Sequence, residues 1–231
     1  MRKLLISLFL VIATPGWSDA ALRQITVTGE GRVEAVPDMA TVIMGVVTEG
    51  DTGAEAMSAN SAALAQVFAR LRDAGVEERD MQTSNLSLSP RWDNRSSSIS
   101  GQPQIVGFVA SNTVSVRLRD LAQVGTVLDA VVQSGANSFQ GISFGLQNPQ
   151  PVQDEARQKA VRDAIRKARL YAEAAGVELG DIQRITENGG GSPRPVMMAM
   201  EADMVRSAAV PVAQGEVSLH ASVTVVFAIG Q

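Results

Sequence analysis

The strongest constraint on the fold is an internal repeat. Gly75-Val76 followed by Asp80 recurs as Gly176-Val177 followed by Asp181, at the same internal spacing. Each copy comes after a long helical pattern and before a strand, a long proline-containing loop and a final amphipathic strand. The predicted order is strand-helix-strand-strand, a connecting helix, then strand-helix-strand-strand again. Two copies are too few to stack as a solenoid. They predict a duplicated α+β unit, with helices packed on a largely antiparallel sheet. The related halves are expected at about 21–118 and 138–231, joined by a helix over about 120–135.

Local patterns fill in that order. Gln24 to Gly29 alternates Ile25 and Val27 with threonines, the period of a half-buried strand. Met39 to Glu49 also reads as strand but is apolar on both faces, with Ala40, Val42, Met44 and Val46 against Ile43, Gly45 and Val47. Such a strand is either central in a covered sheet or covered by another subunit. Thr52-Gly53-Ala54-Glu55 fits a capping box, in which hydroxyl and carboxylate satisfy orphan amides at a helix start. That helix runs to about Ala74, turns Leu64, Val67, Phe68 and Leu71 inward, and stops at Gly75. Strands follow at Met81 to Leu88 and Ile105 to Leu118, the second with Val106, Phe108, Ala110, Val114, Val116 and Leu118 on one face. Between them Pro90 to Pro103, rich in Ser, Asn and Gly, reads as a long hairpin loop.

Asp120 caps a shorter helix lined by Leu121, Val124, Leu128 and Val131, which ends at Gly135-Ala136-Asn137. Ser138 to Gln147 is strand, and a helix from about Val152 to Ala175 stops at Gly176. Strands at Asp181 to Glu187 and Glu216 to Ile229 close the chain, with a long loop, Asn188 to Gly215, between them.

Residues 1–20 read as a signal peptide. Arg2 and Lys3 precede an apolar run from Leu4 to Ala13; Pro15 and Gly16 break it, and Ser18-Asp19-Ala20 offers small residues for cleavage after Ala20. The run is shorter than a membrane-spanning helix, and no later segment approaches the ~18 apolar residues that one needs. The expected product is a soluble periplasmic domain, 21–231, large enough to bury a core without staples. Losing Arg2, Lys3 and Asp19 takes two of the 20 basic and one of the 24 acidic residues, leaving a net charge near −5. That balance disfavours nucleic acid, whose binding rests on phosphate neutralisation.

The chain has no cysteine, which excludes disulfides, thiolate nucleophiles and cysteine metal sites. His220 is the sole histidine, on a strand face with Ser218, Ser222 and Thr224; no G-x-S-x-G elbow accompanies it, and sites built from several imidazoles are impossible. Gly29-Glu30-Gly31 reads as a strand bend and Gly189-Gly190-Gly191 as loop, since neither opens a helix that would aim amides at an anion. Asp38, Glu49 and Asp51 lie at strand ends, where two carboxylates can pair for acid-base work, although nothing in their spacing requires it. Arg157, Lys159, Arg162, Arg166, Lys167 and Arg169 crowd one helix, but Glu155 with Lys159 and Asp163 with Lys167 are i,i+4 pairs of a solvated face. Ala156, Ala160, Ala164, Ala168 and Ala172 recur every fourth residue, a stripe that lets the helix approach a sheet or a second helix closely.

Met197, Met198, Met200 and Met204 cluster in the last loop with Pro193, Pro195 and Pro211. Thioethers there can make an adaptable contact with another subunit or partner, bind Cu(I), or take up oxidant; an undistinguished loop is the remaining reading.

Taken in order, several segments resemble the SIMPL-domain family. They are Ile25 to Gly31 with Val36-Pro37-Asp38-Met39-Ala40, Gly75-Val76 with Asp80 and Thr83, and Gly107-Phe108 through Asn112-Thr113-Val114. Asp120-Leu121, Gly135-Ala136-Asn137, Ile142-Ser143-Phe144, Glu155-Ala156-Arg157, Gly176 to Gly180 and Gly215-Glu216-Val217 continue the match across the chain. The family includes periplasmic immunogenic proteins and oxidative-stress-defence proteins of Gram-negative bacteria. The resemblance implies an α+β fold, periplasmic location, a homo-oligomer, envelope-protein partners and a link to oxidative or envelope stress. It carries over no catalytic, cofactor or metal residues, so a non-enzymatic protein is expected.

Overall fold

A computed structural model describes residues 23–93, 103–189, 194–196 and 213–230. The elements run β1 (Gln24–Ala35), β2 (Met39–Gly50), α1 (Gly53–Asp73), β3 (Met81–Asp93), β4 (Gln104–Leu118), α2 (Val124–Gln133), β5 (Ser138–Gly145), α3 (Gln150–Ala175), β6 (Leu179–Glu187), β7 (Arg194–Val196) and β8 (Glu216–Ile229). Single 3-10 turns at Glu78–Asp80 and Leu121–Gln123 introduce β3 and α2. The fold is α+β with antiparallel sheets, as the periodicities predict.

The sheets do not divide at the connecting helix. One has the order β3-β4-β2-β5, the other β1-β8-β6 with β7 also paired to β8. β1 therefore belongs to the sheet of the second half, in register from Gln24↔Ala228 to Ala35↔Val217. β5 belongs to the sheet of the first, with Ala40↔Phe144 and Val42↔Ile142. Each half lends a strand to the other across the boundary expected at 118–138. Alternation says which side of a strand is apolar; it does not say which strand lies alongside.

The first layer sets α1 and α2 on β2 and β4. Thr52 forms the expected capping box, its hydroxyl accepting from Glu55 N at 3.2 Å and Glu55 Oε2 accepting from Thr52 N at 3.1 Å. α1 buries Ala56, Asn60, Leu64, Val67 and Leu71. Leu64, Val67 and Leu71 meet Val42, Met44, Val46, Val114 and Val116 in a core that also takes Val124, Val127 and Val131 of α2. β2 is central in its sheet, as its apolar pattern allows, but only one face is covered by helices: Ile43 on the other is 38% exposed. Asn60 is the polar intruder in this core, its Nδ2 donating to Val46 O at 2.8 Å and Ala110 O at 3.1 Å.

The second layer sets α3 on β1 and β8. The alanine stripe at 156, 160, 164, 168 and 172 is buried, the first four packing against Val27, Val33, Ala221, Val223, Val225 and Phe227. Gly29 and Gly31 are not a bend. They sit inside a continuous strand, and a Cβ would lie 2.6 Å from Ala164 N at Gly29 and 2.6 Å from Ala160 N at Gly31. Their hydrogen side chains leave the space that the α3 backbone fills, which is why the strand runs on to Ala35.

Two loops are shorter than the sequence indicates. β3 continues through Pro90, Arg91, Trp92 and Asp93, paired with Phe108, Gly107, Ile105 and Gln104. Proline is tolerated there because β3 is an edge strand. β7 interrupts the last loop, pairing Arg194 with Ser218 and Val196 with Glu216. The signal-peptide segment 1–20 and Met197, Met198, Met200 and Met204 lie outside the described residues. No helix among the described residues is long and apolar enough to cross a membrane.

Candidate functional site

The most organised polar constellation grows out of the first copy of the repeat. Gly75, at φ +82°, ends α1 in the left-handed conformation that glycine adopts freely. Gly75 N donates to Arg72 O at 2.9 Å and Val76 N to Leu71 O at 3.0 Å, the paired bonds of a Schellman cap. The 3-10 turn that follows brings Asp80 inward, where it is only 3% exposed. Arg119, just past β4, meets it as a fork: Nε donates to Oδ2 at 2.6 Å and Nη2 to Oδ1 at 2.8 Å. Arg117 Nε stands 3.9 Å from Oδ1. The bond from Arg119 holds the Asp80 carboxyl below the usual carboxylate range against the opposing effect of burial, and the nearby charges of Arg119, Arg117 and Arg79 add to it.

The network continues to the crossovers between the sheets. Arg119 Nη1 donates to Gln147 Oε1 at 3.2 Å. Gln147 N donates to Asp38 Oδ1 at 2.7 Å, and Gln147 Nε2 to Asp38 O at 2.9 Å. Asp38 follows β1 and Gln147 precedes α3, so one chain of hydrogen bonds ties both passages between the layers to the end of β4. Beside it lies a cleft of about 250 Å³ lined by Gly75, Val76, Asp80, Arg117, Arg119 and Gln123. Both oxygens of its one deeply buried carboxylate are taken up by a guanidinium. The arrangement fixes backbone, and the cleft's other carboxylates are engaged as well, Glu77 by Arg79 at 2.9 Å and Asp120 by the Ala122 amide at 3.0 Å.

The second copy of the repeat has the same cap and a different fate. Gly176 is again left-handed, and Val177 N donates to Ala172 O at 3.0 Å. Asp181 is exposed in β6, with no side-chain partner among the described residues. The reason is in the sequence: β4 ends in Arg117-Leu118-Arg119, whereas β8 ends in Ala228-Ile229-Gly230. A buried carboxylate needs a cation, and only the first copy supplies one.

The other candidates are dispersed. Asp38 and Glu49 stand at opposite ends of β2, Glu49 paired to Arg91 at 2.6 Å. Asp51 lies exposed beyond that far end. His220 is exposed on β8 opposite Arg32. Gly189 is left-handed at φ +62°, and the two glycines after it fall outside the described residues. The basic helix is paired as its spacing predicts, Lys159 with Glu155 at 3.0 Å and Lys167 with Asp163 at 2.8 Å. Asp163 does more than solvate: its Oδ2 accepts from Glu30 N at 3.0 Å, and Lys167 Nζ donates to Thr28 O at 2.9 Å. The Lys167 bond first, then the Glu30 amide, lower the Asp163 carboxyl to about 2 against the cost of burial. Among the described residues no three of His, Asp or Glu converge as a metal site.

The order of these elements and the glycine-capped repeat coincide with a family match over residues 25–227, to SIMPL, described as a protein of unknown function (DUF541). The chain belongs to the SIMPL family. Within SIMPL, it is 38% identical over 213 residues to the 26 kDa periplasmic immunogenic protein of Brucella melitensis, covering 89% of this chain and 84% of that one. It is 31% identical over 161 residues to the uncharacterized protein YggE of Edwardsiella ictaluri, covering 70% and 66%. YggE of Escherichia coli K12 shares 28% over 180 residues, covering 78% and 72%. The SIMPL match spans both layers, from β1 to the last residues of β8.

Proposed function

We propose that the chain is a non-enzymatic, self-assembling protein of the periplasm that supports the cell envelope under oxidative or other envelope stress. The observation that carries the self-assembly is apolar surface at the sheet margins. Leu86, Leu88 and Trp92 on β3, Phe139 and Ile142 on β5, and Ile182 and Ile185 on β6 are all exposed. Scattered apolar residues are ordinary on a monomer, but groups gathered along sheet edges invite a partner. The non-enzymatic part is supported by where the ionisable groups are spent. Asp80 is held by Arg119 and Asp163 by Lys167, both tying backbone segments together. Periplasmic location is supported by the Brucella relative named for that compartment. The stress role is inferred from family resemblance. Light scattering of the protein at micromolar concentration tests the assembly: a mass of two or more chains is expected, and a clean single-chain mass contradicts it.

A second reading makes the methionines at 197, 198, 200 and 204 a Cu(I) site or an oxidant sink. Replacing all four by leucine separates the two. Unchanged copper affinity and unchanged peroxide survival are expected if assembly is the function, and loss of either favours the thioethers.

A further inference from the structure

We infer that β5 is the strand through which two copies of this chain pair, edge to edge and antiparallel, each closing the groove between the other's β5 and α2. The inference rests on the self-assembly reading above and names the surface that carries it.

Among the described residues the outer strands of the two sheets are β3, β5, β1, β6 and the three-residue β7, which also pairs with β8. A free edge offers a row of unpaired N–H and C=O groups to any other strand, and proteins that stay monomeric blunt such edges with charge, proline, bulges or covering side chains. All but β5 are blunted here, β7 by its shortness and its Arg-Pro sequence. The outer edge of β1 is occupied by α3 side chains, with Asp163 on Glu30 N and Lys167 on Thr28 O. β6 carries Asp181, Arg184 and Glu187 and twice shifts register. β3 has a register shift at Thr83/Asn85, then Pro90 and Arg91. β5, reading Ser-Phe-Gln-Gly-Ile-Ser-Phe-Gly, has neither a charge nor a proline. It bulges once, Gln140 being the extra residue where Ile43↔Gly141 steps to Met44↔Phe139, so what sets it apart is the lack of charge and proline.

The same strand borders an apolar groove. Val42, Leu128, Val132, Phe139, Gly141 and Ile142 line a depression of about 280 Å³ with almost no polar surface. Val132 on α2 is 52% exposed, Phe139 45% and Ile142 39%. An occupant must therefore be uncharged, apolar and able to extend a strand. A second β5 meets each requirement, and a two-fold axis normal to the sheet sets identical patches face to face, as an isologous contact demands. The two four-stranded sheets then continue as one of eight, with both α2 helices on the same side.

The absence of cysteine makes the test clean. Single cysteines at Ser138, Gln140 and Ser143 are oxidised in the full chain, with Gln183→Cys on β6 as control. A disulfide-linked dimer is expected from at least one β5 position and not from the control. Ile142→Lys and Val132→Lys, each placing an unpaired charge in the contact, are expected to raise the dimer dissociation constant at least about 100-fold. Val132 lies on an exposed helix surface, so that variant keeps the test open if the strand variant fails to fold. Persistence of the assembly in Val132→Lys, with no cross-link through β5, overturns the surface while leaving self-assembly standing. A monomeric unmodified chain overturns both.

Discussion

The two helix-on-sheet layers solve one packing problem in opposite ways. α1 is held off β2 and β4 by leucines, valines and a methionine, and its core absorbs one buried amide, Asn60. α3 is drawn onto β1 until its alanines lie over the glycines at 29 and 31. The first layer is stabilised chiefly by apolar area. The second presents small side chains, gains close dispersion contacts, and adds the bonds of Asp163 and Lys167 to the strand edge. Repetition of an element order thus fixes connectivity without fixing chemistry. The Gly-Val…Asp repeat makes the same point: one aspartate is buried in an ion pair and its counterpart faces solvent.

This contrast predicts unequal responses to substitution. The largest effect is expected at Gly31→Val, which drives a branched side chain into the α3 backbone; a loss of about 4 kcal/mol or more in urea unfolding checks it. Tolerance of valine there would mean that the helix does not approach so closely. In the first layer Leu71→Ala should cost about 3 kcal/mol by leaving a cavity, read from the same unfolding curves.

Asp163→Asn comes next, with a loss on the order of 1–2 kcal/mol at neutral pH. Its folded pKa of about 2 lies below the ordinary value of 3.8, so its contribution is complete above the unfolded pKa and fades as pH falls toward 2. The variant should accordingly show a shallower acid limb than the parent in unfolding measured between pH 6 and pH 2, with Asp80 and its own depressed pKa supplying part of what remains. The smallest effect is expected from Thr52→Ala, about 1 kcal/mol for the lost cap of α1.

Much of the architecture was legible from local chemistry. The capping box at Thr52 and the glycine stops at Gly75 and Gly176 are short-range signals, and α1, α3, β4 and β8 lie where period and caps put them. Strand partnership was not legible, because β1↔β8 and β2↔β5 are contacts between residues far apart in sequence. Gly29 and Gly31 looked like a bend since a glycine pair carries no mark of what fills its space. The alanine stripe at the same four-residue step was the missing clue. Asn60 hides in an otherwise apolar helix face, and no neighbour in sequence announces the two carbonyls it serves. For Asp80 the readable signal was Arg117-Leu118-Arg119 at the close of β4, with no counterpart at the end of β8.

Because β1 and β5 cross between the layers and Asp38, Gln147 and Arg119 tie the crossovers together, the two layers should unfold as one unit. Native-state hydrogen exchange in rising urea measures this directly. The amides of α1 and α3 are expected to converge on a single unfolding free energy and to lose protection together. Loss of protection in α3, β1 and β8 while α1, β2 and β4 stay closed would contradict the account.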